Sequence, residues 1–240
     1  MKVARYQKAG DISYALGATV AMEYLKNDPQ SLIHIIFHPD FRSEYKSEIE
    51  ELCAKNGIEI STDAKAFNIL SQKENCFVIG VIKKREQKIQ SGCHMVLVNP
   101  SNCGNLGTIM RSCAGFGVTD IAIIPPAADH YDPKTVRASM GALARVRVEV
   151  FDSFGQYRES FPENNCYPFM LDGSVLLQQT VIKEPFSLIM GNEATGLPEE
   201  FKDIGQPVRI EHTDAIDSLN LPIAASIGLY EATKSRFMQK

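Results

Sequence analysis

An apolar strand that leads through a glycine- and asparagine-rich turn into an apolar helix constrains the fold of this chain most. We predict the strand over His94–Val98 and the helix over Leu106–Ala114. A second strand, over Asp120–Ile124, completes a β-α-β unit, which should form a parallel pair with a right-handed crossover. The turn itself is filled by Asn102, Gly104, Asn105 and Gly107.

Arg111 is the only Lys, Arg, Asp or Glu between Lys88 and Asp120. A full positive charge on an otherwise apolar helix has a desolvation cost. We therefore expect Arg111 to have a task or a partner.

Residues 1–88 show helical and strand patterns that alternate along the chain. We predict a helix over 11–27, where apolar residues recur every four positions, at Ile12, Leu16, Val20 and Tyr24. The elements expected after it are a strand over Leu32–Phe37, a helix over Arg42–Asn56, a strand over Ile58–Ile60, a short helix capped by Asp63 and a strand over Cys76–Ile82. This order predicts a small α/β domain over 1–88, joined by a charged linker over 83–92 to a second domain over 92–240.

The second domain continues with strands predicted over 146–150, 167–171, 186–190 and 208–210, and with a closing helix over 223–237. Sharp turns follow strands near residues 99, 172 and 191. Ligands of open α/β sheets bind at the carboxyl ends of the strands, so these turns predict the functional site. A nucleotide phosphate at Gly104–Gly107 is an alternative, but the stretch lacks both G-x-G-x-x-G and G-K-[ST].

Four stretches carry a family resemblance. They are N-x-G-N-x-x-x-x-x-R-S from Asn102 to Ser112, R-A-S-x-G-A from Arg137 to Ala142, G-x-E-x-x-G-L from Gly191 to Leu197, and S-L-N from Ser218 to Asn220 followed by Tyr230-Glu231. In this order they resemble the signatures of the SpoU family of RNA ribose methyltransferases, within the SPOUT superfamily. The resemblance covers the second domain well and the first only as a general pattern.

The resemblance implies a fold and a cofactor. The expected fold class is α/β, with a SPOUT-type, trefoil-knotted, parallel-sheet catalytic domain preceded by a small α/β substrate-binding domain. S-adenosylmethionine would bind in the knot, between loops near 171–173, 191–196 and 210–221. The cofactor-binding residues that the motif positions imply are Leu171, Gly191, Asn192, Gly196, Ile210 and Leu219.

The implied reaction is methyl transfer to a ribose 2′-hydroxyl of tRNA or ribosomal RNA. The catalytic residues that the motifs imply are Asn105, Arg111, Glu193, Ser218 and Asn220. Arg111 would either lose a proton transiently with help from an RNA phosphate, or hold that phosphate and stabilise the developing alkoxide. Asn105 should lie near the methyl donor or the ribose. Glu193 should orient Arg111 or close the site.

Alternatives stay open at each of these positions. Arg111 and Glu193 could form a core ion pair. Ser218 and Asn220 are expected to hydrogen-bond Arg111 or the substrate, or Asn220 to cap the closing helix. The chain departs from the family pattern at Glu211-His212 and at Pro222, which lacks an N–H donor.

The family is dimeric, so a homodimer is expected. The apolar residues Ile223, Ala224, Ile227 and Tyr230 of the closing helix would serve that contact or the core. Two other functions compete with the implied one: a non-catalytic RNA-binding or ribosome-associated protein that keeps the fold, and a base-methylating SPOUT enzyme. The full set of site residues argues against the first, and the S-L-N signature argues against the second.

Charge and cysteine usage limit where RNA could bind and indicate the cellular compartment. The net charge is −4, with 13 Lys and Arg against 12 Asp and Glu over residues 1–90, and 12 against 17 over 91–240. An RNA surface must therefore be a local patch, for which the run Lys83-Lys84-Arg85 with Lys88 is one candidate and a solvated hinge the other interpretation. The six cysteines form no CxxC pair, which predicts reduced thiols, no metal site and a cytoplasmic protein. No apolar run approaches about 18 residues and no secretory signal is visible, so no membrane association is expected.

Overall fold

The computed structural model describes residues 3–70, 76–172 and 174–238. The chain forms two compact units. Unit 1 comprises Met1–Glu86 together with Asp129–Arg145, and unit 2 comprises Gln87–Ala128 together with Val146–Lys240. Gly173, which belongs to one of the loops expected at the cofactor, lies outside the described residues.

Unit 1 is a four-stranded sheet with helices. Its sheet has the order β1-β4-β2-β3, in which β2 and β3 are parallel and β4 runs antiparallel to both β1 and β2. The predicted cap at Asp63 is confirmed, because its Oδ1 accepts a 2.8 Å hydrogen bond from the Lys65 N–H. The elements are β1 (Ile12–Leu16), α1 (Ala18–Asn27), β2 (Leu32–Phe37), α2 (Tyr45–Asn56), β3 (Glu59–Thr62), α3 (Ala64–Leu70) and β4 (Val78–Lys83).

The helix predicted over 11–27 is wrong in its first part, which is strand β1. Residues 13–16 are all buried, and a strand buried on both faces shows no polar alternation. Its apolar spacing therefore merges with that of α1 into an apparent helical period. Gly17 separates the two elements with φ of 114°, a conformation that only glycine adopts readily.

Unit 2 is built around one parallel sheet. The chain runs through β5 (His94–Val98), α4 (Cys103–Phe116) and β6 (Asp120–Ile124), and it contributes α5 (Pro133–Ala138) to unit 1. It then forms the remaining elements, which are β7 (Arg147–Val150), α6 (Phe154–Ser160), β8 (Asn165–Pro168), β9 (Val175–Leu176), β10 (Phe186–Met190), β11 (Val208–Arg209) and α7 (Leu221–Phe237).

The five-stranded sheet has the order β7-β6-β5-β10-β8, and every neighbouring pair in it is parallel. The predicted parallel β-α-β unit is thus confirmed, as is the α/β class. Leu97 lies opposite Met190, so the chain leaves β5 and β10 at the same edge of the sheet. β11 falls within the strand predicted over 208–210, but its parallel partner β9 was not predicted, because that strand has only two residues. The trefoil knot stays a prediction from the resemblance.

A buried polar network fixes the other end of the same strands. His94 is fully buried and lies 2.7 Å from the Gln90 carbonyl through Nε2 and 2.8 Å from the Tyr157 hydroxyl through Nδ1. The same hydroxyl lies 2.5 Å from Ser187 Oγ. Burial lowers the pKa of His94, so it is neutral at pH 7, and the network has a structural role.

Residues 129–145 complete unit 1 although they lie between β6 and β7 in the sequence. The buried Ser13 hydroxyl donates to the Tyr131 carbonyl, and the Tyr6 hydroxyl donates to Asp129. Arg145 Nε lies 2.8 Å from Glu23 Oε2. Units 1 and 2 therefore differ from the predicted domains, 1–88 and 92–240, because this segment packs with the first domain.

The basic run predicted as a surface patch is largely engaged within its own units. Lys84 Nζ donates to the Lys8 carbonyl at 2.9 Å and lies over the Tyr6 ring, and Arg85 pairs with Asp28. Lys88 Nζ lies 2.6 Å from Glu149 Oε1. These contacts argue against a free basic patch, and they also engage the run more than a fully solvated hinge would.

We expect a fragment of residues 1–88 to lack cooperative thermal unfolding. It would leave the Ser13 hydroxyl without its acceptor and would uncover the part of β1 against which α5 packs. The measurement is circular dichroism on heating, beside a fragment in which residues 129–145 are attached through a glycine-serine linker. A sigmoidal transition in the shorter fragment would contradict the expectation.

Candidate active site

The site forms where β5 and β10 end. Asn99 follows β5 with φ of 54°, a left-handed conformation that asparagine tolerates. Gly191 follows β10, and the next residue, Asn192, donates through Nδ2 to the Asn99 carbonyl at 2.9 Å. The two loops that carry the first and second motifs are therefore held together by a direct hydrogen bond.

Helix α4 begins earlier than predicted, at Cys103. Asn102 is its N-cap: Oδ1 accepts from the N–H groups of Gly104 at 2.8 Å and Asn105 at 3.0 Å. The expected turn through Gly107 is therefore mostly helix, because the asparagine cap satisfies the first free N–H groups. The N–H groups of Gly104 and Asn105 are therefore not free to bind a nucleotide phosphate, which argues against the phosphate site considered for Gly104–Gly107.

Glu193 binds the start of this helix. Its Oε2 accepts from the Ser101 N–H at 3.1 Å and the Ser101 hydroxyl at 2.8 Å. Its Oε1 accepts from the Asn102 N–H at 3.2 Å and from Asn105 Nδ2 at 3.1 Å. We call these four residues the Glu193 clamp. Ser101 was missed in the sequence, since a serine beside a turn carries no distinctive signal.

The charge of Glu193 follows from these bonds. Partial burial alone would raise the pKa of the carboxyl group, but hydrogen bonds from the backbone, from Asn105 and from Ser101 outweigh burial, and the net shift is downward. The clamp therefore holds a carboxylate at neutral pH. A carboxylate at a helix N-terminus is also favoured by the helix dipole.

Arg111 is exposed on α4. Within residues 3–70, 76–172 and 174–238 its guanidinium makes no ion pair and no side-chain hydrogen bond, so the core ion pair with Glu193 is wrong. The expected desolvation cost is also wrong, because the side chain faces solvent. Its neighbour Ser112 lies 2.7 Å from Ser226 through the two hydroxyl oxygens, a contact that joins α4 to α7.

A cleft of about 360 Å³ opens beside these loops. It is lined by all six residues expected at the cofactor, namely Leu171, Gly191, Asn192, Gly196, Ile210 and Leu219. Glu193 and Ser218 of the expected catalytic set also line it, whereas Asn105, Arg111 and Asn220 do not. The cleft is also lined by residues that the sequence did not predict at the cofactor, including Phe169, Met190, Thr195, Leu197, Leu221 and Ala224.

Gly191 has no room for a side chain, because another part of the chain packs directly against it. A Cβ on Gly191 would lie 2.3 Å from the Gly196 carbonyl carbon and 2.4 Å from the Leu197 nitrogen. The close approach is therefore made by the protein's own turn, in which Asn192 and Gly196 exchange backbone hydrogen bonds of 3.2 and 2.9 Å. The tight turn shapes one wall of the cleft.

The third motif leads into α7. The Asn220 carbonyl accepts from the N–H groups of Ile223 and Ala224, but its side chain makes no capping hydrogen bond, so a side-chain capping role is wrong. Ser218 and Asn220 are both exposed. Pro222 lies in the first turn of α7, where a backbone N–H is not needed, so this departure from the family pattern costs no helical bond.

The cleft fits a nucleoside-sized ligand. Its volume lies in the range of about 300–1,000 Å³ typical of small-molecule sites. Leu171, Met190, Ile210 and Leu219 provide apolar walls, and Glu193 with Ser218 provides polar groups. No cluster of possible metal ligands occurs in the part of the chain that the structure describes, and none of its helices is long and apolar enough to cross a membrane.

A family model described as the SpoU rRNA Methylase family matches residues 92–230. The chain belongs to this family, and the family predicted from the motifs is confirmed. The matched residues contain the β5–α4 turn, the Glu193 clamp, the cleft and most of α7.

Relatives and solved structures agree with this assignment. The chain is 32% identical over 146 residues to ribosomal RNA small subunit methyltransferase G 2 of Syntrophobacter fumaroxidans, covering 60% of this chain and 28% of that protein. It is 30% identical over 145 residues to 23S rRNA (uridine(2479)-2'-O)-methyltransferase of Streptomyces viridochromogenes, covering 57% of this chain and 50% of that protein. The chain thus spans half or less of the length of both relatives.

The fold also matches the crystal structure of the SpoU methyltransferase AviRb from Streptomyces viridochromogenes in complex with the cofactor AdoMet. The TM-score is 0.80 at 21% identity, covering 95% of this chain and 92% of that one. The matched residues include parts of both units, and the likeness supports the expected fold class.

We expect Glu193→Gln to lower kcat about 10- to 100-fold, the loss typical of a residue that positions a reacting group. The amide keeps the size of the side chain, but its nitrogen cannot accept the hydrogen bonds of the clamp. Steady-state kinetics with thermal unfolding is the measurement, and Glu200→Gln, at an exposed acid outside the cleft lining, is the matched control. Equal kcat values for the two variants would contradict the expectation.

The pH dependence has a definite sign. Because the pKa of Glu193 is lowered in the folded protein, its contribution to stability is complete above its unfolded value of about 4.5 and is lost as pH falls through the folded value. Wild type should therefore lose more stability than Glu193→Gln as the pH falls below about 4.5, which chemical denaturation at a series of pH values measures.

Proposed function

We propose that this protein is an S-adenosylmethionine-dependent methyltransferase that methylates a ribose 2′-hydroxyl in a tRNA or a ribosomal RNA. One observation carries the proposal: the cleft that gathers all six expected cofactor residues lies beside a helix whose single cation has no partner in the described part of the chain. A binding protein without catalysis would have no need for this arrangement.

Each site residue has its own role in the proposed reaction. S-adenosylmethionine, when bound in the cleft, supplies an activated methyl group. Arg111 binds the phosphate beside the reactive ribose and stabilises the negative charge that develops on the 2′-oxygen, while another group, such as a water molecule, takes the proton of the hydroxyl. Asn105 donates its Nδ2 group to Glu193, which leaves Oδ1 as a free acceptor for the ribose. Ser218 and Asn220, in the third motif, make no side-chain hydrogen bond within the described residues, so their polar groups are available to the substrate.

The test is transfer of labelled methyl from S-adenosylmethionine to total RNA from cells that lack this protein. Alkaline hydrolysis then locates the label, because a 2′-O-methyl group blocks cleavage of the adjacent 3′ linkage. Label in alkali-resistant dinucleotides, separated by RNA size class, supports the proposal and identifies tRNA or ribosomal RNA.

Other outcomes favour the two competing functions. Label in alkali-sensitive nucleotides would move the chemistry to a base. RNA binding without methyl transfer and without cofactor binding, measured by calorimetry, would favour a non-catalytic RNA-binding protein.

We propose further that the protein is a homodimer that uses α7. Ile223, Ile227 and Tyr230 lie at positions i, i+4 and i+7 of this helix and are 52%, 37% and 51% exposed. The core side of α7 is instead formed by Ala225, Gly228 and Leu229, so the exposed stripe is free to meet the same stripe of a second copy. Ile227→Glu should convert the dimer to a monomer in analytical ultracentrifugation.

Unit 1 is the proposed RNA substrate-binding part, since a small α/β domain ahead of the catalytic one is the pattern that the resemblance implies. We also place the protein in the cytoplasm. None of the six cysteines forms a disulfide bond, and reduced thiols are typical of a reducing compartment.

A further inference from the structure

The segment that completes unit 1 carries a cluster of cations. Residues 129–145 contain Lys134, Arg137 and Arg145, in a chain with a net charge of −4, and the two acidic residues of the segment, Asp129 and Asp132, both precede Lys134. The side chains of these two acids accept hydrogen bonds from the Tyr6 hydroxyl and the Lys134 N–H. Arg145 pairs with Glu23. Lys134 and Arg137 make no ion pair and no side-chain hydrogen bond with any residue that the structure describes. They lie three positions apart on α5, so they share one side of it.

Met140 follows this helix in an unusual conformation. Its φ is 52°, and Asn99 is the only other non-glycine residue with positive φ in the described ranges. Asparagine tolerates this region, whereas methionine meets a steric penalty there. The Met140 side chain is nevertheless 41% exposed, so no burial of the side chain explains the strained backbone.

The surroundings hold Met140 in this position. The fully buried Ser139 donates through Oγ to the Val136 carbonyl at 2.7 Å, and the Met140 N–H donates to the Arg137 carbonyl at 2.9 Å. On the other side, Gly141 lies so close to α1 that a Cβ there would be 2.4 Å from Glu23 Cβ. Strain that is fixed on both sides and presented to solvent is a feature of ligand-binding sites.

We propose that Arg137 and Met140 form an RNA contact on unit 1. Arg137, with Lys134 beside it, binds a backbone phosphate, and Met140 packs against the face of an unstacked base. The uncommitted positive charge selects a polyanion, and one exposed apolar side chain is far too small an area for a stable protein interface. The inference rests on the proposed function and assigns it a binding site outside the cleft.

The test uses the full chain with Met140→Gly and Arg137→Ala. The probe is total RNA from cells that lack this protein, in methyl-transfer kinetics and in filter binding. Met140→Gly should weaken RNA binding and raise the KM for RNA about fivefold while raising the Tm, because glycine adopts φ of 52° without strain. Weaker binding by a more stable protein cannot result from a folding defect.

Arg137→Ala should raise the KM for RNA several-fold and reduce the slope of log K against log salt by about 0.7–0.9, as expected for one lost phosphate contact. The kcat and the Kd for S-adenosylmethionine should stay unchanged in both variants. Ile33→Ala, which removes a side chain of similar exposure (40%) from unit 1, is the control and should leave RNA binding unchanged.

Two failures are distinguishable. If wild type methylates or binds RNA and both variants match it in RNA affinity and KM, this inference is overturned and the proposed function stands. If wild type neither methylates nor binds the RNA, the proposed function fails, and this inference with it. If Met140→Gly instead lowers the Tm, the test uses Met140→Asn, because asparagine tolerates positive φ. Weaker RNA binding by Met140→Asn then supports this inference, and wild-type RNA affinity overturns it.

Discussion

Replacing Arg111 by alanine is expected to lower the kcat for methyl transfer about 10²- to 10³-fold, the effect of removing one positioned donor from a developing negative charge. The Kd for S-adenosylmethionine should not change, because Arg111 does not line the cleft. The Tm should not fall, because the side chain is exposed and has no partner in the described part of the chain. A catalytic loss without a structural loss is thus the expected signature.

Two further variants sharpen this experiment. Arg111→Lys keeps the charge but not the planar fork, so partial activity would show that geometry matters as well as charge. Lys183→Ala removes another exposed cation of unit 2 and should leave kcat unchanged. If Arg111→Ala keeps wild-type kcat, the assignment of Arg111 to the reacting ribose is wrong, whatever the stability shows.

Gly191→Ala has the other large expected effect. The added methyl group would meet the backbone of Gly196 and Leu197 at 2.3–2.4 Å, and backbone atoms cannot move aside as a flexible side chain can. We expect the turn to open, the Kd for S-adenosylmethionine to rise at least about 100-fold, and the free energy of unfolding to fall by about 1–3 kcal/mol. Calorimetric titration and chemical denaturation measure the two effects.

Gly115→Ala is the matched control. Gly115 lies in α4, and a Cβ there would have no atom within 4 Å. Alanine should therefore raise the free energy of unfolding by about 0.5–1 kcal/mol, because it restricts the unfolded chain and favours the helix. Unaltered cofactor binding in Gly191→Ala would show that the turn does not shape the cleft.

The sequence predicted those parts of the fold that local signals define. Strand β10 was predicted with its observed bounds because Pro185 and Gly191 enclose a five-residue run in which only Ser187 is polar, and β6 was likewise bounded by Thr119 and a proline pair. The six residues predicted at the cofactor line one cleft, because motifs record positions along the chain that the fold brings together. In contrast, β1 was mistaken for helix, since burial on both faces removed the alternation that identifies a strand.

Contacts between residues that lie far apart in the sequence could not be predicted. The motif positions of Glu193 and Arg111 suggested a pair, yet only the three-dimensional course of the chain shows that Glu193 binds Ser101, Asn102 and Asn105 instead. The exposure of Arg111 was missed for the same reason. Helical spacing shows which residues share a face but not whether another element covers that face.

The way residues 129–145 complete unit 1 bears on how the protein can be rearranged. The first 88 residues cannot be exchanged between family members alone, because the transplanted piece would meet a foreign segment at Ser13 and Glu23. A chain cut down to 92–240 would in turn expose Tyr131, Val136 and Leu143, which unit 1 buries. A recombination that succeeds must move both pieces together, so the two stretches form one exchangeable structural block despite the forty-two residues between them.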